Sequence, residues 1–142
     1  MFTSLVASWY WGHGRIGEYS IVWFDFLDPA GTEAVSAYIA KDNEVLIASC
    51  TLASISVRPI GQNATYPPLV GTGNPSGYHI EVDLGQDGTL TADVEVLGSL
   101  IEVNPEYGRF VGKMTGEVVP LDGDVTTGLA GMALFEQFKL IS

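Results

Sequence analysis

Residues 78–96 alternate apolar and polar side chains on either side of a tight turn, and that pattern commits the chain to antiparallel β-structure. Tyr78, Ile80, Val82 and Leu84 interleave with His79, Glu81 and Asp83, and Leu90, Ala92, Val94 and Val96 interleave with Thr91, Asp93 and Glu95. A period of two sends one set to one face of a strand and the other set to the opposite face. Gly85-Gln86-Asp87-Gly88 joins the two runs with an Asp-Gly turn signal, so the segment reads as a hairpin with one buried face.

Further strands are expected over 5–12, 19–27, 34–40, 44–48, 54–58, 109–119 and 129–140. Turn chemistry separates them at Gly12-His13-Gly14, Asp28-Pro29-Ala30-Gly31, Lys41-Asp42-Asn43 and Leu121-Asp122-Gly123-Asp124. No long stretch carries a helical stripe, and about nine short strands at close spacing point to an all-β barrel or sandwich. A chain of 142 residues, 46% hydrophobic, is large enough to bury one core, so a single domain over 1–142 is expected. Between two strands, residues 61–77 hold three prolines and four glycines. A loop of this length either borders a binding mouth or crosses over the sheet.

Charge narrows the partners. Six Lys and Arg against 17 Asp and Glu give a formal charge of −11, which repels nucleic-acid phosphates and anionic membrane surfaces. Neither partner is expected. Cys50 is the only cysteine, so no internal disulfide forms. The first residues lack the basic segment of a cleavable signal, and no apolar run approaches the roughly 18 residues of a membrane helix. The cytoplasm is therefore the expected location. Asn63-Ala64-Thr65 matches a glycosylation triplet and reads as loop.

One strand is apolar on both faces: Tyr19, Ile21 and Trp23 on one side, Val22, Phe24 and Phe26 on the other. Such a strand needs apolar cover outside its sheet as well as inside, from a second domain, a partner subunit or a ligand pocket. In 109–119, Gly112 and Gly116 share a face with Phe110, Met114 and Val118, where missing side chains leave room for a cavity or let the strand bend.

Candidate chemistry concentrates near the amino terminus, where Trp9, Trp11 and Trp23 accompany Tyr10, His13, Arg15, Tyr19 and Asp25. If its strand continues to 13, Trp9, Trp11 and His13 share one face. Aromatic faces give broad apolar contact, and the indole N–H, a Tyr hydroxyl and His13 are each able to donate to a carbonyl. His13 reads either as a turn residue between glycines or as a general acid–base group. Asp25 lies mid-strand in apolar company, so burial raises its pKa unless Arg15 or another cation pairs with it. His79 falls on the polar face of its hairpin. Two distant histidines and one cysteine make no recognisable zinc cluster. Neither a G-x-S-x-G elbow nor a phosphate loop is present. No cofactor and no metal are expected.

The segment from Ser8 to Asp25, SWYWGHGRIGEYSIVWFD, resembles the carboxy-terminal domain of the fungal Diels–Alderases, decalin-forming cyclases related to the hydroxyneurosporene synthase superfamily. Ala48-Ser49-Cys50, Val57-Arg58-Pro59-Ile60-Gly61, Tyr66-Pro67-Pro68 and Ala133-Leu134-Phe135-Glu136-Gln137-Phe138-Lys139 extend the likeness. Glu18 stands where that motif has proline. The resemblance implies a lipocalin-like barrel of about eight to nine strands and cofactor-free cyclisation of a polyene-bearing metabolite. In that family a β-sandwich domain precedes the barrel, and the pocket lies largely where the two meet. Here Met1 comes just before the Trp motif, so the expectation is a stand-alone barrel, an excised half of a larger enzyme, or a subunit pairing with itself or another chain.

These readings combine into a cofactor-independent Diels–Alder or hetero-Diels–Alder cyclase for a hydrophobic intermediate of secondary metabolism. His13 and Tyr19 are the expected catalytic groups, and Trp9, Trp11, Trp23, Phe24, Asp25, Met114 and Phe135 the expected substrate-binding residues. The alternatives are a non-catalytic lipophile carrier, or an alkene hydratase or dehydratase with Asp25 or Glu136 shuttling a proton.

Overall fold

Alternation at this density lets almost every segment pair with its sequence neighbour. The computed structural model describes residues 7–103 and 106–139, and in it nine antiparallel strands form one sheet. They are β1 (Ser8–Ile16), β2 (Tyr19–Leu27), β3 (Glu33–Lys41), β4 (Glu44–Ser49), β5 (Ile55–Ile60), β6 (Gly77–Asp83), β7 (Thr89–Val103), β8 (Tyr107–Val119) and β9 (Thr126–Lys139). The spatial order is β4-β3-β2-β1-β9-β8-β7-β6-β5. Every hydrogen-bonded neighbour is a sequence neighbour except β1 and β9, whose ladder joins the two ends of the chain. The sheet curls until β5 packs against β2 and β3. Across that seam the Val57 N–H donates to Asp25 Oδ2 at 3.2 Å. The architecture is the expected lipocalin-like antiparallel barrel.

Several boundaries differ from those read in the sequence. Gly12-His13-Gly14 is not a turn: β1 runs through it to Ile16, and the chain reverses at Gly17, whose φ is +55°. Both glycines face inward and yield their side-chain space to neighbours. A Cβ on Gly12 would lie 2.3 Å from Trp23 Cζ2, and one on Gly14 would lie 2.4 Å from Met114 Sδ. β7 extends to Val103, beyond the expected end at 96, and bulges between Val96 and Gly98 and between Ser99 and Ile101 carry it past β8. Alternation weakens there because a bulge shifts the side-chain phase. Residues 5–6 and 140 of the expected first and last strands lie outside the described residues. The 78–96 hairpin forms as read, with a single 3-10 turn (Gly85–Asp87) between its strands.

The barrel interior is packed with large side chains. Trp23, Tyr78, Phe110, Phe135, Ile21, Ile39 and Met114 are all buried there. Gly112 and Gly116 leave no room for a side chain: a Cβ at Gly112 would meet Glu95 O at 2.5 Å and Phe135 Cε1 at 2.6 Å. One at Gly116 would meet Thr91 O at 2.3 Å. These glycines instead let β7 and the Phe135 ring come close to β8, a use that neither the cavity nor the bend expectation covered.

Candidate functional site on the outer sheet face

Once Gly12 and Trp23 are inside, the odd residues of β1 and the even residues of β2 must point outward. Cross-strand register then stacks them in rows. Phe26, Trp9, Phe138 and Tyr107 form one row, and Phe24, Trp11, Glu136 and Arg109 the next. A third row is Val22, His13, Leu134 and Val111. At the end of the face, Arg15 pairs with Ser20 and Met132 with Lys113. The rows continue onto β7, where Val103 opposes Tyr107 and Ile101 opposes Arg109. Trp9 stacks on Phe138 with centroids 4.5 Å apart, and the Trp11 ring meets His13 edge-on at 5.6 Å. Met132 and Val103 are more than half exposed, at 52% and 56%. A largely aromatic and aliphatic face this wide, interrupted by the Glu136–Arg109 pair, is characteristic of a surface that something else covers.

Within this face lies a groove of about 420 Å³, lined by His13, Arg15, Val22, Val111, Met132 and Leu134. Next to it Glu136 accepts hydrogen bonds from Trp9 Nε1 at 3.1 Å, from Arg109 Nη2 at 3.3 Å and from the Tyr107 hydroxyl. Three donors converging on one carboxylate fix the Trp9 indole and the Tyr107 ring. Burial, then the hydrogen bond to Glu136, raises the Tyr107 pKa, so this phenol stays protonated as a donor.

A second polar group sits inside the barrel at the end capped by residues 61–76. Asp25 is buried and reaches Arg58 Nη1 at 3.3 Å, while Arg58 forms a two-pronged pair with Glu33 at 2.8 and 3.1 Å. The Tyr66 ring lies 3.9 Å from the Arg58 guanidinium carbon, and its hydroxyl donates to Glu33 Oε2 at 3.3 Å. Burial, with the neighbouring Glu33, pushes the Asp25 carboxyl up to about 8; the Val57 N–H and Arg58 act against the rise. Burial also opposes ionisation of Glu33, but hydrogen bonds from Arg58 and Asp25 bring its pKa net below the usual value. Tyr78 donates to Gln137 Oε1 at 2.7 Å, whereas Tyr10 Oη and Gln137 Nε2, both buried, have no hydrogen-bond partner among the described residues. The Asp25 cluster spans β2, β3, β5 and the loop, so it ties the seam and the cap together.

The structure therefore divides the residues singled out from sequence. Trp9, Trp11, His13 and Phe24 gather on the outer face, as the shared face of Trp9, Trp11 and His13 requires. Tyr19, Trp23, Asp25, Met114 and Phe135 are buried on the inner face. His13 and Tyr19 are not brought together, and Lys41 lies over the Tyr19 ring at 5.4 Å. Asp25 is paired with Arg58 and not Arg15, which points outward with Nε donating to Gly17 O at 3.4 Å. His79 is half-exposed on the outside, 2.6 Å from Asp93. Sequence reasoning missed Arg58, Glu33 and Tyr66, whose meeting depends on barrel closure, and Val22, Val111, Met132 and Leu134, whose meeting depends on register. Among the described residues no group of three or more His, Cys, Asp or Glu is placed to hold a metal, and no helix is long and apolar enough to cross a membrane.

Fold and site together define a nine-stranded lipocalin-like barrel that carries an aromatic, groove-bearing face on its outside. No protein-family model matches the chain. Over 129 residues it is 39% identical to the quinolone epoxide rearrangement protein asqO of Emericella nidulans, covering 91% of this chain and 30% of that protein. It is 38% identical over 134 residues to the quinolone epoxide rearrangement protein penF of Penicillium thymicola, covering 94% of this chain and 35% of the relative. The chain thus spans about a third of the length of the curated relatives it matches. Crystal structures of CghA, alone and with Sch210972, match 99% of this chain and 42% of theirs, with TM-scores of 0.72 and 0.70 at 14% and 13% identity. That likeness establishes the fold.

Proposed function

We propose that this chain is the barrel part of a cofactor-independent enzyme of secondary metabolism that cyclises or rearranges a hydrophobic, polyene-type intermediate. The observation that carries the reading is the apolar groove beside His13, set in an outer face that needs a cover. The relatives' names, which specify epoxide rearrangement, support an isomerase-type reaction. Epoxide opening by rearrangement and Diels–Alder closure both conserve the atoms of the substrate, so neither consumes a co-reactant. Both ask for an apolar mould that selects one near-attack conformer, and for a donor at one substrate oxygen. Val22, Val111, Leu134 and Trp11 supply the mould, and a His13 ring N–H donates to a carbonyl or epoxide oxygen. Glu136, already holding three donors, sets the Trp9 and Tyr107 rings at the edge of that mould. Trp23, Phe135 and Met114 support the face from beneath.

The occupant of the rest of the face, in this reading, is a second domain of the kind the longer relatives have room for, or a second copy of the chain. The reacting molecule lies between barrel and cover. The test is a chiral chromatographic profile of the producing strain with the gene deleted, then restored as wild type or as His13→Ala. Deletion is expected to turn a single cyclic isomer into a mixture or an acyclic precursor. Wild type restores the isomer and His13→Ala restores it poorly. An unchanged profile on deletion overturns the catalytic reading and leaves a lipophile carrier that uses the same groove.

A further inference from the structure

The outer face is graded along its strands. At one end lie Phe26, Trp9 and Phe138; at the other lie Ser20, Arg15 and Lys113, with the groove between. Among the described residues no Asp or Glu lines the groove, although the chain carries 17 of them against six Lys and Arg. Arg58 and Arg109 are held in ion pairs and Lys139 is buried with its Nζ 3.3 Å from Gly73 O. Arg15 forms no ion pair among the described residues; its Nε donates to the Gly17 carbonyl at 3.4 Å, and its exposed side chain lines the groove. In so acidic a chain, an arginine with no carboxylate partner among the described residues stands out at the polar end of an apolar groove. A guanidinium binds a carboxylate or enolate through paired N–H groups more strongly than a neutral oxygen.

We propose that the groove selects an amphipathic acid. Its apolar chain lies over Leu134, Val22 and His13 toward Trp11, and its head, a carboxylate or an ionised enol, is held by Arg15 with Ser20 beside it. The assignment rests on the reading that this face holds the substrate, and it names the substrate's chemical class. It also places the head away from the reacting unsaturation, so that Arg15 anchors one end while His13 faces the middle of the molecule.

The experiment titrates the wild-type chain with decanoate and, separately, with decanol, following affinity by calorimetry and the His13 and Trp11 ring signals by NMR. Decanoate is expected to bind about tenfold more tightly than decanol, the worth of one charge-assisted hydrogen bond. Arg15→Gln should abolish that difference, while Lys41→Gln, the same change in net charge away from the groove, should keep it. Equal binding of acid and alcohol by wild type, or an Arg15→Gln loss that falls on both alike, overturns the proposal while leaving the groove as a binding site. If neither compound moves the His13 or Trp11 signals, the outer-face reading fails and the proposal fails with it.

Discussion

Residues 134 and 135 are consecutive in β9 but point to opposite sides of the sheet, and that alternation has a measurable energetic consequence. Phe135 is 1% exposed, with its ring 5.6 Å from that of Phe110 and 5.7 Å from that of Tyr78. It is also flanked by Gly12 and Gly112, where a Cβ would sit 2.6 Å from its atoms. Phe135→Ala therefore opens a hole bordered by backbone that has no side chain to fold into it. Its cost belongs at the upper end of the about 3–5 kcal/mol seen for buried aromatic truncation. Leu134 is 40% exposed in the groove, and losing its partly buried carbons should cost about 1 kcal/mol. Urea unfolding followed by tryptophan fluorescence measures both, since the buried Trp23 lies in the layer that Phe135 supports. In the producing strain the order reverses for function: Leu134→Ala should change the product profile at little cost in stability. Equal losses of stability for the two variants would refute the assignment of inner and outer faces.

Other consequences follow from the polar groups inside the barrel. Tyr10→Phe removes a buried hydroxyl that has no hydrogen-bond partner among the described residues, so it should leave stability unchanged or raise it by about 1 kcal/mol in the same urea assay. A loss above that amount would mean the hydroxyl is satisfied in solution. Asp25, with its folded-state pKa raised to about 8, binds a proton that the unfolded chain releases near pH 4. Its contribution is fully present below the unfolded value and is lost as pH rises toward about 8, so wild-type stability should fall by a few kcal/mol, at most about 1.4 per pH unit, across that window. Asp25→Asn cannot titrate and keeps an acceptor for the Val57 N–H, so its urea midpoint should vary much less between pH 5 and 8. An equally steep decline in the variant would place the titrating group elsewhere.

The strands were largely legible because alternation is a local property. The 78–96 hairpin and the two-faced strand at 19–27 both formed as read. What alternation cannot decide is which of two apolar sets faces the core. In β2 both sets are aromatic, and only the inward glycines of β1 and β8, which make room for Trp23, Phe135 and Met114, distinguish them. In sequence the Gly12-His13-Gly14 run reads as a turn because glycine serves both turns and close approach, and nothing within the run separates the two uses. Arg58 as the partner of Asp25 was hidden for a different reason. It lies 33 residues away and arrives only when the barrel curls. The gathering of Trp9, Trp11 and His13 followed directly from their spacing. That their face is the outer one, with a groove in it, emerged only from the register.

The three tryptophans report directly on where an apolar ligand goes, because Trp9 and Trp11 lie outside the barrel and Trp23 inside. The decisive measurement is a titration of the 15N-labelled chain with farnesol, an unsaturated apolar probe, following the three indole N–H resonances assigned by single Trp→Phe variants. Binding on the outer face should shift Trp11, with Trp9 following through its Phe24 and Phe138 neighbours, and leave Trp23 in place. A saturable shift of Trp23 alone would put the ligand inside the barrel and contradict an outer-face site.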